Sequence, residues 1–146
     1  MIFLLSIIDT KVSAQEMDAE YTINYLNKRT TEACKIFSSK KDIRIEFYSN
    51  GNPVRIDYVF PSTIDFENGI TYSPDDQSIS IKCYEKAGKQ VERNILKNGS
   101  KLFYDRSNLL VNCTGEDCDA IVTAMKHLIQ LYAVDDYERS KPFEEN

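Results

Sequence analysis

Apolar and polar residues alternate with a period of two through the middle of the chain. Ile43, Ile45 and Phe47 are separated by Arg44, Glu46 and Tyr48, and Ile79, Ile81 and Cys83 by Ser80, Lys82 and Tyr84. Successive side chains of a strand point to opposite faces, so the pattern predicts antiparallel strands with one face buried and one wet. Asn50-Gly51, Asn68-Gly69 and Asn98-Gly99 punctuate this stretch. Both residues of such a pair accept positive φ, which the type I′ hairpin turn requires. Residues 42–113 are therefore expected to hold about seven short strands, at 43–48, 54–60, 70–73, 78–84, 90–97, 101–104 and 108–113.

At both ends the apolar period lengthens to that of a helix. Ile23, Leu26, Ala33 and Phe37 form one stripe over residues 16–37, with Asp18 placed to cap the first turn and Lys28, Arg29 and Glu32 facing water. Ile121, Met125, Leu128 and Tyr132, broadened by Val122, Ala124 and Ile129, mark a second helix over 115–133. Thr114 and Asp117 have the spacing of a capping box, and Glu116, Asp117 and Asp119 complement the positive end of the helix dipole. Residues 135–146 are polar, contain Pro142 and read as a flexible acidic tail.

An N-terminal helix, an antiparallel meander of about seven strands and a C-terminal amphipathic helix define an α+β fold. The order is that of a pleckstrin-homology-like barrel with an added N-terminal helix, or of a sandwich. The alternative is a single antiparallel sheet with both helices on one face. The run Ala124-Met-Lys-His-Leu-Ile129, together with Ile79-Ser-Ile-Lys-Cys-Tyr-Glu85 in the sheet, resembles a group of small exported bacterial proteins of unknown function. That resemblance spans most of residues 20–132. It implies export and the same architecture, and supplies no catalytic residues.

The first fourteen residues read as a truncated signal peptide. A short apolar run, Ile2 to Ile8, precedes Val12-Ser13-Ala14, whose small residues at −3 and −1 suit cleavage before Gln15. No basic residue precedes the run, which leaves a buried N-terminal strand or turn as the alternative. Residues 15–134 then form the domain. The apolar run is far shorter than the roughly 20 residues a membrane span needs, so no transmembrane segment is expected. The location expected is the periplasm, the cell surface or the medium of a bacterium.

Charge narrows the partners. The chain of 146 residues carries a net charge of −5, which argues against nucleic acid and favours a protein partner. Its four cysteines allow up to two disulfides, in three pairings. Cys113 with Cys118, across a turn, is the natural pair and would leave Cys34 with Cys83 to tie the first helix to the sheet. The alternative is four buried thiols. A spacing of five suits no zinc ligand pair.

Candidate chemistry is sparse. His127 is the only histidine, on the edge of the last helix's apolar stripe, and it is a weak functional candidate. The carboxylates at Asp75-Asp76, Glu116-Asp117-Asp119 and Asp135-Asp136 fit a turn, a helix start and a helix end. The glycines are scattered rather than gathered in a phosphate loop, and no cofactor or metal is expected. Arg44, Tyr48, Arg55, Lys82 and Tyr84 are expected to share an outward sheet face with Glu46 and Asp57. Aromatic rings among charged groups there offer a surface for protein recognition. The function expected is a non-catalytic binding module of the cell envelope. The alternatives are an inhibitor or immunity-type protein, a subunit of a larger envelope assembly, and, last, a small hydrolase. Oligomeric state is open.

Overall fold

A computed structural model describes residues 18–39 and 42–139 of the chain. The expected signal peptide and the last residues of the expected tail lie outside the described residues. The described part is α+β, with two helices and eight antiparallel strands in two sheets, neither closed into a barrel. Helix α1 covers residues 18–27. Strands β1 (Cys34–Ser38), β2 (Ile43–Ser49), β3 (Asn52–Val59), β4 (Ile70–Ser73), β5 (Ser78–Lys82), β6 (Val91–Ile95), β7 (Ser100–Tyr104) and β8 (Arg106–Leu110) follow, and α2 (Glu116–Arg139) ends the fold.

The first sheet has the order β1-β2-β3-β6-β7 and the second β4-β5-β8. The chain passes between them three times, through the helical turn Pro61–Thr63, through the turn Glu85–Ala87, and across Asp105 alone. A single-sheet arrangement is thereby excluded. Isolated bridges pair Thr30 with Val111 and Ile64 with Cys83.

One strand had no counterpart in the expected pattern. The helix expected over 16–37 ends near Asn27, and Cys34–Ser38 is β1, paired with β2 in the register Cys34↔Phe47 to Ser38↔Ile43. Alternation within Cys34-Lys-Ile-Phe-Ser38 puts Cys34 and Ile36 in the core, and the β-branched pair Thr30-Thr31 precedes it. Pairing with β2 prevailed over the coincidental helical spacing of Ala33 and Phe37. At the other end α2 runs on to Arg139, so residues 135–139 are helical rather than part of a tail.

The core lies between the two sheets and under α2. Ile36, Ile43, Ile45, Val59, Ile79, Ile81, Val91 and Leu109 are fully buried, and Ile121, Met125, Leu128 and Ile129 close the space from the helix. Each such side chain contributes about 1.5–3 kcal/mol by leaving water. Helix α2 packs on the Pro61–Thr63 turn and on β4. Its first turn is closed by backbone bonds from Asp117 N–H to the Thr114 carbonyl and from Cys118 N–H to the Gly115 carbonyl, in place of the expected side-chain box.

Two Asn-Gly pairs differ in what they do. Asn50 and Gly51 have φ of 52° and 81°, the hairpin geometry expected between β2 and β3. Gly69 instead allows a close approach: a Cβ there would lie 2.6 Å from the backbone oxygens of Asp65 and Lys82. Its N–H donates to Asp65 and its carbonyl accepts from Lys82 N–H.

Candidate functional site

The five residues expected to share one outward face are dispersed. Arg44 and Tyr48 lie on the outer face of β2, Arg55 on the inner face of β3, and Lys82 at the end of β5 in the other sheet. Tyr84 lies beyond β5, where its N–H donates to the Thr63 carbonyl. On β1 and β2 the outer-face side chains mainly contact one another. Arg44 Nε is 2.8 Å from Glu46 Oε2, in an ion pair without an aligned hydrogen bond, and its guanidinium lies 4.8 Å from the Phe37 ring centre. The Tyr48 hydroxyl donates to Glu46, and the Lys35 ammonium lies 5.6 Å from the Tyr48 ring centre. That hydrogen bond, and secondarily burial, push the Tyr48 pKa up to about 12.

Strand β3 presents its charges inward, opposite to expectation. Apolar Val54, Ile56 and Tyr58 point to the strand's core side if the sequence is read alone. The ladder instead sets Asp57 opposite Ile45 and Val59 opposite Ile43, so Asp57 is fully buried. Two guanidiniums grip it from the same face. Arg55 donates from Nε and Nη2 at 3.0 and 2.7 Å, and Arg93 of β6 donates from the same atoms at 2.9 and 3.1 Å. Ser107 of β8 donates from the second sheet at 2.5 Å. Arg55 stacks on Phe47 and Arg93 on Tyr104, at 4.0 and 3.9 Å. Burial acts to raise the Asp57 pKa, and the hydrogen bonds from Arg55, Arg93 and Ser107 outweigh it, holding the carboxyl below its ordinary range. The carboxylate thus locks one sheet to the other. Arg93 is 36 positions from Asp57 and Ser107 is 50, so no local motif announces the cluster.

The cysteines divide. Cys113 and Cys118 form the expected disulfide, closing the turn before α2 onto its first turn. Cys34 and Cys83 are free buried thiols, so the expected second bridge is absent. They serve different sheets, one on β1 and one just past β5, and each fills core space as a small apolar group. Burial, the dominant influence, pushes the Cys34 pKa to about 11 and leaves that thiol unreactive.

His127 faces a carboxylate. Its Nε2 lies 3.0 Å from Asp18 Oδ2, joining α2 to the start of α1 across a half-exposed gap. The pair ties the two helices together. Among the described residues no three His, Cys, Asp or Glu side chains gather as a metal site. Within the same residues no helix is long and apolar enough to cross a membrane.

Sheet edges supply the remaining candidate. A strand at an edge presents unpaired N–H and C=O groups on every second residue, and folded proteins usually cover them. At β1, Asn27 Nδ2 donates to the Ile36 carbonyl at 2.7 Å and Ile36 N–H donates to Asn27 Oδ1 at 2.8 Å. At β8, Thr31 N–H donates to the Leu110 carbonyl and Thr30 bridges Val111. Strand β4 lies against α2. Among the described residues, strand β7 pairs with β6 on one side and with no strand on the other. Along it Leu102, Phe103 and Tyr104 are 43%, 52% and 37% exposed, three consecutive large apolar side chains in water. Nothing in the alternation of this segment distinguishes it from the other strands; only strand order shows that it is an edge among the described residues.

No family model matches the chain, and neither the curated proteins nor the solved structures contain a match to it.

Proposed function

We propose that this chain is a non-catalytic protein-binding module that takes up an extended segment of a partner along β7. The single observation that carries the reading is the contrast between edges. Asn27 seals β1 with side-chain ladder bonds, whereas among the described residues no strand pairs with the outer side of β7, beside the exposed Leu102, Phe103 and Tyr104. Strand addition at such an edge draws affinity from main-chain bonds and specificity from alternate side chains.

The Cys113–Cys118 disulfide supports placing the module outside the cytosol, in the envelope or the medium of a bacterium, where disulfides persist. Two stacked sheets with a helix across the core support a sandwich or pleckstrin-homology-like scaffold for this role. The likeness to small exported bacterial proteins points the same way.

Photocrosslinking tests the reading. A benzophenone amino acid placed at Phe103 in the native host is expected to give one discrete protein adduct, and the same probe at Thr71 is expected to give none. The purified partner should then bind Phe103→Lys about tenfold or more weakly, as for a residue at the centre of an interface. Absence of an adduct from position 103, or an unchanged affinity, would overturn the proposal.

A further inference from the structure

Building on the reading of β7 as a strand-binding edge, we infer that the segment it takes up is acidic at both ends and apolar between them. The chain as a whole carries −5, yet residues 89–106 hold Lys89, Arg93, Lys97, Lys101 and Arg106 against only Glu92 and Asp105. That hairpin region has a net charge of +3 and the rest of the chain −8. Arg93 is turned inward onto Asp57, and the exposed Lys89, Lys97, Lys101 and Arg106 outnumber Glu92 and Asp105 on the surface of this region.

Two of these cations bracket the exposed apolar triplet. Lys101 stands near the start of β7, and Arg106 lies two residues past its end as the first residue of β8, with side chains 59% and 50% exposed. Their local partners are weak. Lys101 Nζ is 4.0 Å from Glu92 Oε2, and Arg106 Nε bonds only its chain neighbour Asp105, at 3.3 Å. Directly across the ladder from Arg106 stands Lys82, a like charge that adds to the positive field. At about 3.4 Å per residue, β7 from Ser100 to Tyr104 spans roughly 14 Å, the length of a short extended segment.

Such a segment would lay its central side chains beside Leu102 and Tyr104 on one face and Phe103 on the other. Its terminal carboxylates would meet Lys101 and Arg106. A second copy of this chain fits poorly, because pairing β7 with β7 brings two hairpins of like charge together.

The probe is a fluorescein-labelled peptide of the form Asp-Val-Thr-Val-Tyr-Glu, compared with its Asn/Gln counterpart by anisotropy on the full chain at low salt. The acidic peptide should bind about tenfold more tightly, the sum of two exposed charge pairs. The difference should vanish for the double variant Lys101→Gln, Arg106→Gln and shrink as salt is raised. Equal binding of both peptides would overturn the charge inference while leaving β7 a strand-binding edge. Binding of neither peptide would overturn it as well, and the crosslink from position 103 separately decides whether β7 binds protein at all. A concentration-dependent dimer lost in Phe103→Lys would overturn it in favour of self-pairing.

Discussion

The carboxamide of Asn27 makes both ladder bonds with Ile36 that a neighbouring β-strand would otherwise make, at 2.7 and 2.8 Å. A single side chain at the end of α1 thus ends the five-stranded sheet on that side. Its counterpart at β7 is missing from the described residues, and this asymmetry organises the functional reading.

Removing the seal should therefore do two things. Asn27→Ala leaves a donor and an acceptor of buried Ile36 unpaired, which should cost about 1–3 kcal/mol in urea unfolding. It should also create a second open edge, visible as concentration-dependent association in sedimentation velocity. A variant as stable and as monomeric as the parent would contradict the role given to Asn27.

Asp57 is the most consequential buried polar group. Asp57→Asn leaves Arg55 and Arg93 side by side without their anion and should destabilise the fold by about 3–5 kcal/mol. The pH dependence follows from the direction of its shift. Folding lowers this carboxyl's pKa below its ordinary 3.8, so the stability it confers is complete above that value. That stability is lost as pH falls through 3.8 toward the folded-state value. Urea titrations between about pH 6 and pH 3 should show a steep fall in stability for the parent and a shallower one for Asp57→Asn.

The thiols give a chemical readout. Alkylation without reduction should label Cys34 and Cys83 only once the protein is unfolded, and Cys113 and Cys118 only after reduction. Replacing the bridged pair by Ser should cost about 2 kcal/mol, the chain-entropy value for so short a loop. Rapid labelling of Cys34 in the folded protein would contradict its burial.

Gly69 should tolerate no side chain. In Gly69→Ala the new methyl would meet two backbone oxygens at 2.6 Å, and the resulting shift between β4 and the end of β5 should cost about 1–3 kcal/mol or more. Gly51→Ala, with open space at its Cβ, should cost less and act only through its positive φ. Thermal melts of the two variants side by side would separate crowding from backbone strain.

Most strands were legible because their determinants are local. The alternation in Ile43–Tyr48 and Ser78–Cys83 needs only one wet and one dry face, and the Asn50-Gly51 turn needs only its own two φ angles. The stripe of Ile121, Met125 and Leu128 likewise shows one face of α2 without reference to what it covers, and the five-residue spacing of Cys113 and Cys118 brings them together through a turn.

What the sequence left undecided depends on partners far along the chain. Cys34–Ser38 became a strand because β2 pairs with it and Asn27 binds its edge, not because of its own propensity. Asp57 points inward against the apolar pattern of its strand because Arg93 and Ser107, from β6 and β8, compensate its desolvation. Strand order is set by how two sheets share one core, and only that order leaves β7 at a rim. Periodicity records which residues want burial; which edge stays open, and which charge can be buried, is settled by residues that meet only when the chain has folded.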